Sequence, residues 1–365
     1  MGRSDAILGA PADKAPAGNV ELTMENWILR VTGITPEARD IKTIFLERRN
    51  GEPLSYEAGQ FLTLLFSFRG HALRRSYSFS TAPGIDAVPA ITVKRVPNGE
   101  ISRHLLDHLR VGDVLTSLPP AGRFTLDARA GAGRFTLDAG AANFVFIGAG
   151  SGIVPVFSLI KKALRLGARV RLLTQQHDVA SSPFRAALSV MGLDWKENLT
   201  VRDGRLTKDK LTDWIVAAKV GSDAWFYLCG PPDFMRWVQI VLRTMGFAED
   251  VIRREHFTVG NIPPAPPVFD ATPKKVTIRA AVDRQFVVTW PDSILTAAIR
   301  QGIPLPYSCR AGRCSSCVAH CLRGRVRMTH NEVLTERDLK EGLVLTCVGY
   351  AETDVELDYT RLSGT

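Results

Sequence analysis

Three cysteines stand close together in the segment CRAGRCSSC, residues 309–317, and 29 residues separate the last of them from Cys347. The spacing C-x4-C-x2-C with a distant fourth cysteine is that of plant-type [2Fe–2S] proteins, in which four thiolates enclose two irons. Gly312 permits the tight backbone that such a loop needs. Zinc more often takes two C-x2-C pairs or added histidines, and it stays open as the less favoured alternative. The pattern predicts these metal ligands: Cys309, Cys314, Cys317 and Cys347.

The remaining cysteine usage indicates a reducing compartment. Six cysteines in 365 residues are too few and too unevenly placed for a secreted disulfide framework, so we expect a cytoplasmic protein. Cys321 lies outside the spacing and is expected to be a buried structural thiol. Residues 1–23 have neither a signal-peptide shape nor an apolar core, and we expect a disordered lead. No apolar run is long enough to span a bilayer.

Changes in the pattern of apolar and polar residues along the sequence predict three domains. Residues 24–139 contain short β-rich runs with one helical insertion, typical of a small antiparallel barrel. Residues 140–259 alternate strands with amphipathic helices, which indicates an α/β domain with a parallel sheet. A proline-rich linker at 260–273 precedes a cysteine-bearing domain at 274–365. The octapeptide AGRFTLDA occurs at 121–128 and again at 132–139; we favour the first copy as the last barrel strand and the second as a loop duplication.

A glycine-rich loop, GAGSGIVP, follows a buried strand and begins a helix. Its glycines, Gly148, Gly150 and Gly152, allow backbone N–H groups to approach a pyrophosphate. The loop departs from the G-x-G-x-x-G fingerprint, and the following LLTQQHD lacks an acidic residue at the strand end. An ordinary Rossmann dehydrogenase is therefore not predicted.

Together, RRSYSFS and CRAGRCSSC resemble the ferredoxin-NADP reductase superfamily with a C-terminal ferredoxin domain. The resemblance covers roughly residues 26–362 and is closest to the oxygenase-reductase type that serves phenylacetyl-CoA and 3-ketosteroid 9α-hydroxylase systems. It implies an FAD-binding barrel, a pyridine-nucleotide domain and an α+β ferredoxin-like (β-grasp) cluster domain, in that order.

The resemblance implies a flavin site on two segments. In R-x-Y-S, an arginine suits the pyrophosphate, an aromatic ring can cover the isoalloxazine, and the Ser78 hydroxyl can reach the reacting N5. The second segment, VKRVPNGEIS, runs beside the flavin and then begins a helix, for which Ser102 is the expected N-cap. FAD is favoured over FMN. The implied flavin residues are Arg75, Ser76, Tyr77, Ser78, Val93, Lys94, Gly99 and Ser102.

The resemblance also implies the nicotinamide site. The family places a cysteine of the YLCGPP type, here Cys229, beside the nicotinamide, although a cysteine there can also be a small buried core residue. NADH is weakly favoured over NADPH, because His177 stands where NADPH-using relatives often carry arginine, while Arg185 or Arg205 could still reach a 2′-phosphate. The implied residues are Gly148, Gly150, Ser151, Gly152, Cys229, Gly230, Pro231, Glu255 and Phe257, with Ser78 and Cys229 as the catalytic pair.

These assignments imply an electron-transfer reductase component. NAD(P)H would give a hydride to FAD, and the [2Fe–2S] cluster would pass electrons one at a time to a partner oxygenase or hydroxylase. A reductase for a haem, desaturase or hybrid-cluster partner, or a redox-sensing iron–sulfur flavoprotein, stays open. The net charge of +9 carries no nucleic-acid motif, so neither nucleic acid nor membrane is expected as a partner. Five arginines near the cluster form either a soluble surface or a docking face for an acidic acceptor: Arg310, Arg313, Arg323, Arg325 and Arg327.

Overall fold

The computed structural model describes residues 26–68, 71–126, 142–178, 181–193, 199–201, 205–257, 270–280 and 282–360. The expected N-terminal lead, the second AGRFTLDA copy and most of the expected linker lie outside these residues. The chain divides into two compact units, whose described residues fall within Trp27–His256 and Phe257–Thr365. Among the described helices, none is both long and apolar enough to cross a membrane.

The first unit begins with a six-stranded antiparallel sheet. Alternation of apolar and polar residues along the strands directs side chains such as Ile44 and Leu46, both fully buried, into one core. A bridge between Phe79 and Ile91 joins the two outer strands and closes the sheet into a barrel. In the order β4-β3-β6-β1-β2-β5, its strands are β1 (Trp27–Ala38), β2 (Ile41–Arg48), β3 (Phe61–Phe68), β4 (His71–Ser78), β5 (Ala90–Lys94) and β6 (Val114–Ser117).

The first AGRFTLDA copy does not form the last barrel strand, so that prediction was wrong. Of its described residues, 121–126, only Ala121 forms a β-bridge with the barrel, through two backbone hydrogen bonds with Phe61 (2.9 and 3.0 Å). Gly122 then takes a positive φ of 119°, which turns the chain out of the sheet. Phe124 is buried instead against the α/β domain, where its ring meets Tyr227 edge-on at 5.5 Å.

The second half of this unit is an α/β domain around a five-stranded parallel sheet. Its strands are β7 (Asn143–Ala149), β8 (Arg169–Gln175), β9 (Leu199–Val201), β10 (Trp225–Cys229) and β11 (Ile252–Glu255). They lie in the order β11-β10-β7-β8-β9, so the chain adds β8 and β9 on one side of β7 and then returns to add β10 and β11 on the other side. The boundary between β7 and β10 is therefore a topological switch point. The helices, with α1 from the barrel, are α1 (Glu100–Asp107), α2 (Ile153–Arg165), α3 (Arg185–Val190), α4 (Lys208–Ala217) and α5 (Pro232–Thr244).

The barrel and the α/β domain share one hydrophobic cluster. Ala58, Ala82 and Phe124 of the barrel half are buried together with the apolar face of α2. A second cluster fills the other face of the parallel sheet, under α4 and α5. The two halves are therefore packed as one unit, with α2 at their boundary.

The second unit is an α+β fold with its own core. Its mixed sheet has the order β13-β12-β18-β14-β16, and a two-stranded ribbon joins β15 and β17. The elements are β12 (Lys274–Arg279), β13 (Arg284–Val288), α6 (Ile294–Arg300), β14 (Val318–Arg323), β15 (Val326–Met328), α7 (Glu336–Lys340), β16 (Leu343–Leu345), β17 (Gly349–Ala351) and β18 (Val355–Asp358). The long connection between α6 and β14 carries the three close cysteines.

Candidate functional site

Four thiols meet in the second unit. Cys309, Cys314 and Cys317 lie on the loop before β14, and Cys347 follows β16, which pairs with β14. All four are buried and none forms a disulfide. Side-chain contacts link Cys314 to Cys309, Cys309 to Cys347 and Cys347 to Cys317, so the four thiols lie together.

These thiols fit a two-iron cluster. Four thiolates that lie together can supply two ligands to each iron of such a cluster. The backbone N–H groups of Ala311 and Arg313 both donate to Cys309 Sγ at 3.4 Å, which stabilises a negatively charged sulfur. The contact with Cys309 and burial raise the pKa of the Cys314 thiol well above its ordinary value, and metal binding would displace that proton.

The backbone of the cluster loop is tightly held. Gly312 has a φ of 72°, and a Cβ there would lie 2.8 Å from the carbonyl oxygen of His330. The same turn accepts a hydrogen bond from the Glu332 N–H to Gly312 O at 3.1 Å. Cys321, by contrast, is only half-buried, which corrects the expectation of a buried thiol.

The last residue of β4 is Ser78, whose side chain is buried. Its Oγ has no hydrogen-bond partner among the described residues. Such an orphaned hydroxyl is costly unless a bound group completes it, so this position fits the flavin that the resemblance implies. Ser76 Oγ is instead 2.9 Å from Thr63 Oγ1, and the Arg75 guanidinium is exposed. Tyr77 is partly buried, and burial raises the pKa of its phenol.

The second flavin segment begins beside the nucleotide loop. Val93 is fully buried on β5, and the Lys94 Nζ lies 3.9 Å from the position that a Cβ of Gly150 would take. The following loop leads to α1, whose N-cap is Gly99 and not Ser102 as expected. Ser102 lies within the first turn of the helix. Its Oγ accepts a hydrogen bond from the Val96 N–H at 3.1 Å and donates one to Gly99 O at 3.2 Å, so it holds the preceding loop against the helix start.

The glycine loop lies at the switch point of the parallel sheet. Gly148 is in register with Cys229 on the adjacent strand β10. Gly150 has a φ of 58°, and a Cβ on Gly152 would lie 2.0 Å from the carbonyl oxygen of Cys229. Only glycine allows these two strand ends to approach so closely, and Ser151 completes the short turn before α2. Ligands of open α/β sheets bind at such carboxyl ends.

The residues around Cys229 are mostly buried. Burial raises the pKa of the Cys229 thiol well above its ordinary value and the nearby Glu255 adds to this, so the group is a neutral thiol. Gly230 follows at the strand end, and Pro231 is the N-cap of α5. Glu255 is buried in register with Cys229 on β11, and Phe257 is 39% exposed just beyond it.

Sequence reasoning missed Gln176 and the contacts between α2 and the barrel. Gln176 is buried just after β8, and its Nε2 donates to Gly150 O at 3.2 Å, which braces the glycine loop. Its place at the carboxyl end of a parallel strand was the available signal. His177 is 95% exposed, and Arg185 and Arg205 are exposed as well.

Three of the five arginines near the cluster lie within ion-pair distance of a carboxylate. Arg313 pairs with Glu332 at 3.3 Å, Arg323 with Glu356 at 3.9 Å and Arg325 with Glu352 at 3.5 Å. Only Arg310 and Arg327 have no ion pair within the described residues. The Arg323 and Arg325 side chains are 85% and 74% exposed in these pairs, so both charges stay at the solvent-facing surface.

The chain matches two family descriptions. Residues 29–126 match "Oxidoreductase FAD-binding domain", and residues 278–352 match "2Fe-2S iron-sulfur cluster binding domain". These matches favour the iron–sulfur interpretation over zinc.

Similar proteins cover nearly the whole chain. The ferredoxin reductase component of 3-ketosteroid-9-alpha-monooxygenase from Rhodococcus rhodochrous is 33% identical, over 90% of this chain and 95% of that protein. One component of the 1,2-phenylacetyl-CoA epoxidase of Escherichia coli is 30% identical, over 91% of this chain and 97% of that protein.

Solved structures agree. Phthalate dioxygenase reductase, described as a modular structure for electron transfer from pyridine nucleotides to [2Fe–2S], superposes with a TM-score of 0.57 at 25% identity, over 92% of this chain and 98% of that one. The order of the barrel, the parallel sheet and the cluster domain is the predicted one, and the chain belongs to the family of FAD- and [2Fe–2S]-containing reductase components of oxygenases.

Proposed function

We propose that this protein takes electrons from NAD(P)H and delivers them singly to a partner oxygenase. When bound, FAD accepts a hydride from the nicotinamide, and the [2Fe–2S] cluster releases the two electrons one at a time. The observation that carries the proposal is the proximity of Lys94, at the end of β5 in the second flavin segment, to Gly150 of the nucleotide loop. A pyridine nucleotide and a flavin held by these segments would be neighbours.

The chain's own residues have distinct parts in this proposal. The Ser78 hydroxyl would hydrogen-bond the flavin, and the neutral Cys229 thiol would contact the nicotinamide without adding charge. The glycines of the nucleotide loop would present N–H groups to the pyrophosphate. Glu255 and Phe257 would lie at the same end of the sheet. Cys309, Cys314, Cys317 and Cys347 would hold the cluster.

NADH is the proposed donor and the cytoplasm the proposed location. The carboxylate of Asp178, just beyond β8, would repel the negatively charged 2′-phosphate of NADPH. The same carboxylate lies 3.8 Å from the Arg39 guanidinium, so it also weakens the attraction of Arg39 for a phosphate. The ratio of kcat/KM values for NADH and NADPH tests this preference. The six free thiols suit reducing surroundings.

The exit through the cluster is tested with a ligand variant. We expect Cys347→Ser in the full chain to lose the iron–sulfur absorbance and most reduction of cytochrome c, while NADH still drives ferricyanide reduction through the flavin. Cys321→Ser is the matched control, since this half-buried thiol lies outside the ligand set, and it should keep both activities. Equal cytochrome c reduction by the Cys347 variant would refute the cluster as exit port, and flavin that NADH and NADPH leave oxidised would refute the function.

A further inference from the structure

A lysine is buried where α2 faces the barrel. The Lys161 side chain is 7% exposed, although lysine is rarely buried unless paired. Its Nζ donates to Asp86 Oδ2 at 2.7 Å and lies 4.4 Å from the centre of the Phe157 ring. Burial lowers the pKa of Lys161, and the contact with Asp86 opposes that shift. Asp86 is therefore the hydrogen-bonded partner of a lysine that is buried at this boundary.

That partner belongs to the loop that follows β4. Asp86 Oδ2 also accepts the Ala82 N–H at 2.7 Å, so the carboxylate fixes the shape of its own loop. One turn earlier on α2, the Ser158 Oγ donates to Thr81 O at 2.6 Å and accepts the Gly59 N–H at 3.3 Å. We call Lys161, Ser158, Asp86 and Thr81 the α2 anchor.

A third contact supports the anchor from the opposite side. The Glu37 carboxylate accepts from Thr43 Oγ1 at 2.9 Å and from the Phe184 N–H, and it lies near the Lys161 charge. The Phe184 ring stacks on Phe157 with centroids 4.2 Å apart and planes 4° from parallel. Strand β1 and the start of α3 therefore enclose the same lysine.

The anchor joins the two segments that carry the proposed cofactor contacts. Thr81 lies three residues beyond Ser78, and Ser158 lies six residues beyond Gly152. Helix α2 joins the glycine loop to Ser158, and only two residues separate Thr81 from Ser78, so a displacement at the anchor would displace Ser78 relative to the glycine loop.

We propose that Lys161, through Asp86, is a positioning residue that sets the flavin segment and the nucleotide loop at the distance that hydride transfer requires. This inference rests on the proposed function. In the step concerned, FAD would take the hydride of NADH together with one proton, and NAD⁺ would be left. Lys161 touches no reacting atom.

A merely stabilising role makes a different prediction. A buried ion pair is weak evidence for stability, since apolar groups of similar volume often replace it at little cost. Reacting groups, by contrast, lose rate steeply with misplacement. Rate and stability can therefore be separated experimentally.

The test uses Lys161→Met in the FAD- and cluster-loaded full chain. Under anaerobic stopped-flow mixing with saturating NADH, we expect the limiting rate of flavin reduction to fall about tenfold or more, since a misplacement of 1 Å can cost about a hundredfold. FAD affinity and flavin reduction by dithionite, which needs no nicotinamide alignment, should be unchanged. Lys162→Met, on the exposed face of the same helix, is the matched control, and Lys161→Arg should recover part of the rate.

The inference is overturned if Lys161→Met reduces its flavin with NADH as fast as the control, or if NADH and dithionite rates fall together. If the single variant does not fold, Lys161→Met with Asp86→Asn removes both charges and serves in its place.

Hydrogen exchange gives a readout independent of activity: the Ala82 amide should exchange faster in Lys161→Met than in Lys162→Met, and equal exchange would also overturn the anchor. Failure of wild-type flavin reduction by NADH or NADPH would instead refute the proposed function.

Discussion

At the residue scale, one ion pair stands out beside the cluster thiols. Arg313 precedes Cys314 and donates its backbone N–H to Cys309 Sγ, while its guanidinium pairs with Glu332. Glu332 Oε1 is also 2.7 Å from His330 Nε2. Both members of the pair are less than a quarter exposed, so solvent screens their fields only in part.

We expect the two members of this pair to shift the cluster potential in opposite directions. Reduction adds negative charge, which a nearby cation stabilises and a nearby anion opposes. Arg313→Gln should therefore lower the midpoint potential, and Glu332→Gln should raise it. Spectroelectrochemical titration of the cluster absorbance measures both shifts. The control is Arg325→Gln, which breaks the more exposed pair with Glu352; shifts of the same sign in both pair variants would contradict the electrostatic explanation.

At the element scale, α1 shows how a helix can be recognised from sequence while its attachment cannot. The amphipathic pattern of ISRHLLDHLR predicts the helix, and Leu105 and Leu106 are buried as that pattern requires. The Ser102 cap was wrong because the competing partner, the Val96 N–H, belongs to an irregular loop. No local pattern signals that contact.

The same limit applies to the whole site. Residue patterns predicted the barrel and the α/β domain, and cysteine spacing predicted the four thiols, because these depend on residues near one another in sequence or on a fixed ligand chemistry. The fold of the third domain was implied only by the family resemblance. The pairing of Lys161 with Asp86 spans 75 residues and gives no sequence signal. A lysine on α2 is expected at the surface until packing shows otherwise.

The histidine on α1 predicts a pH dependence. His104 is buried, and neither ring nitrogen has a hydrogen-bond partner among the described residues. Burial, and secondarily His108, lower its pKa from the ordinary 6.5, while Asp113 opposes the shift. The folded state therefore binds the proton less readily than the unfolded chain, so stability is present above 6.5 and is lost as the pH falls below it.

We expect His104→Leu to flatten this dependence. In wild type, the unfolding temperature should fall as the pH drops below 6.5, and part of that fall should disappear in the variant, which has no proton to take up. His177→Leu, at a position that is 95% exposed, should keep the wild-type slope. Thermal melts across this pH range measure both, and parallel slopes in all three proteins would contradict a role for His104.

At the scale of the whole molecule, the two compact units have separate means of stabilisation. The unit within Trp27–His256 has cores in the barrel and on both faces of the parallel sheet. The unit within Phe257–Thr365 has one core, which includes Cys317 and Cys347. A metal site that forms only in the native state adds its binding free energy to the free energy of folding. Because the four cluster thiols are buried in this second unit, a bound cluster would stabilise that unit against unfolding.

Calorimetry of the holoprotein should therefore show two unfolding transitions with different ligand responses. Excess FAD should raise the unfolding temperature of the Trp27–His256 unit only, because it adds about 2.7 kcal/mol to that unit's free energy of unfolding when free FAD is a hundredfold above its Kd. Cys347→Ser should lower the unfolding temperature of the other unit only, because it removes a cluster ligand from that core. Cys321→Ser should leave both unfolding temperatures nearly unchanged. A single transition that responds to FAD and to the Cys347 substitution alike would show that the two units unfold as one, and the assignment of each cofactor to the stability of its own unit would fail.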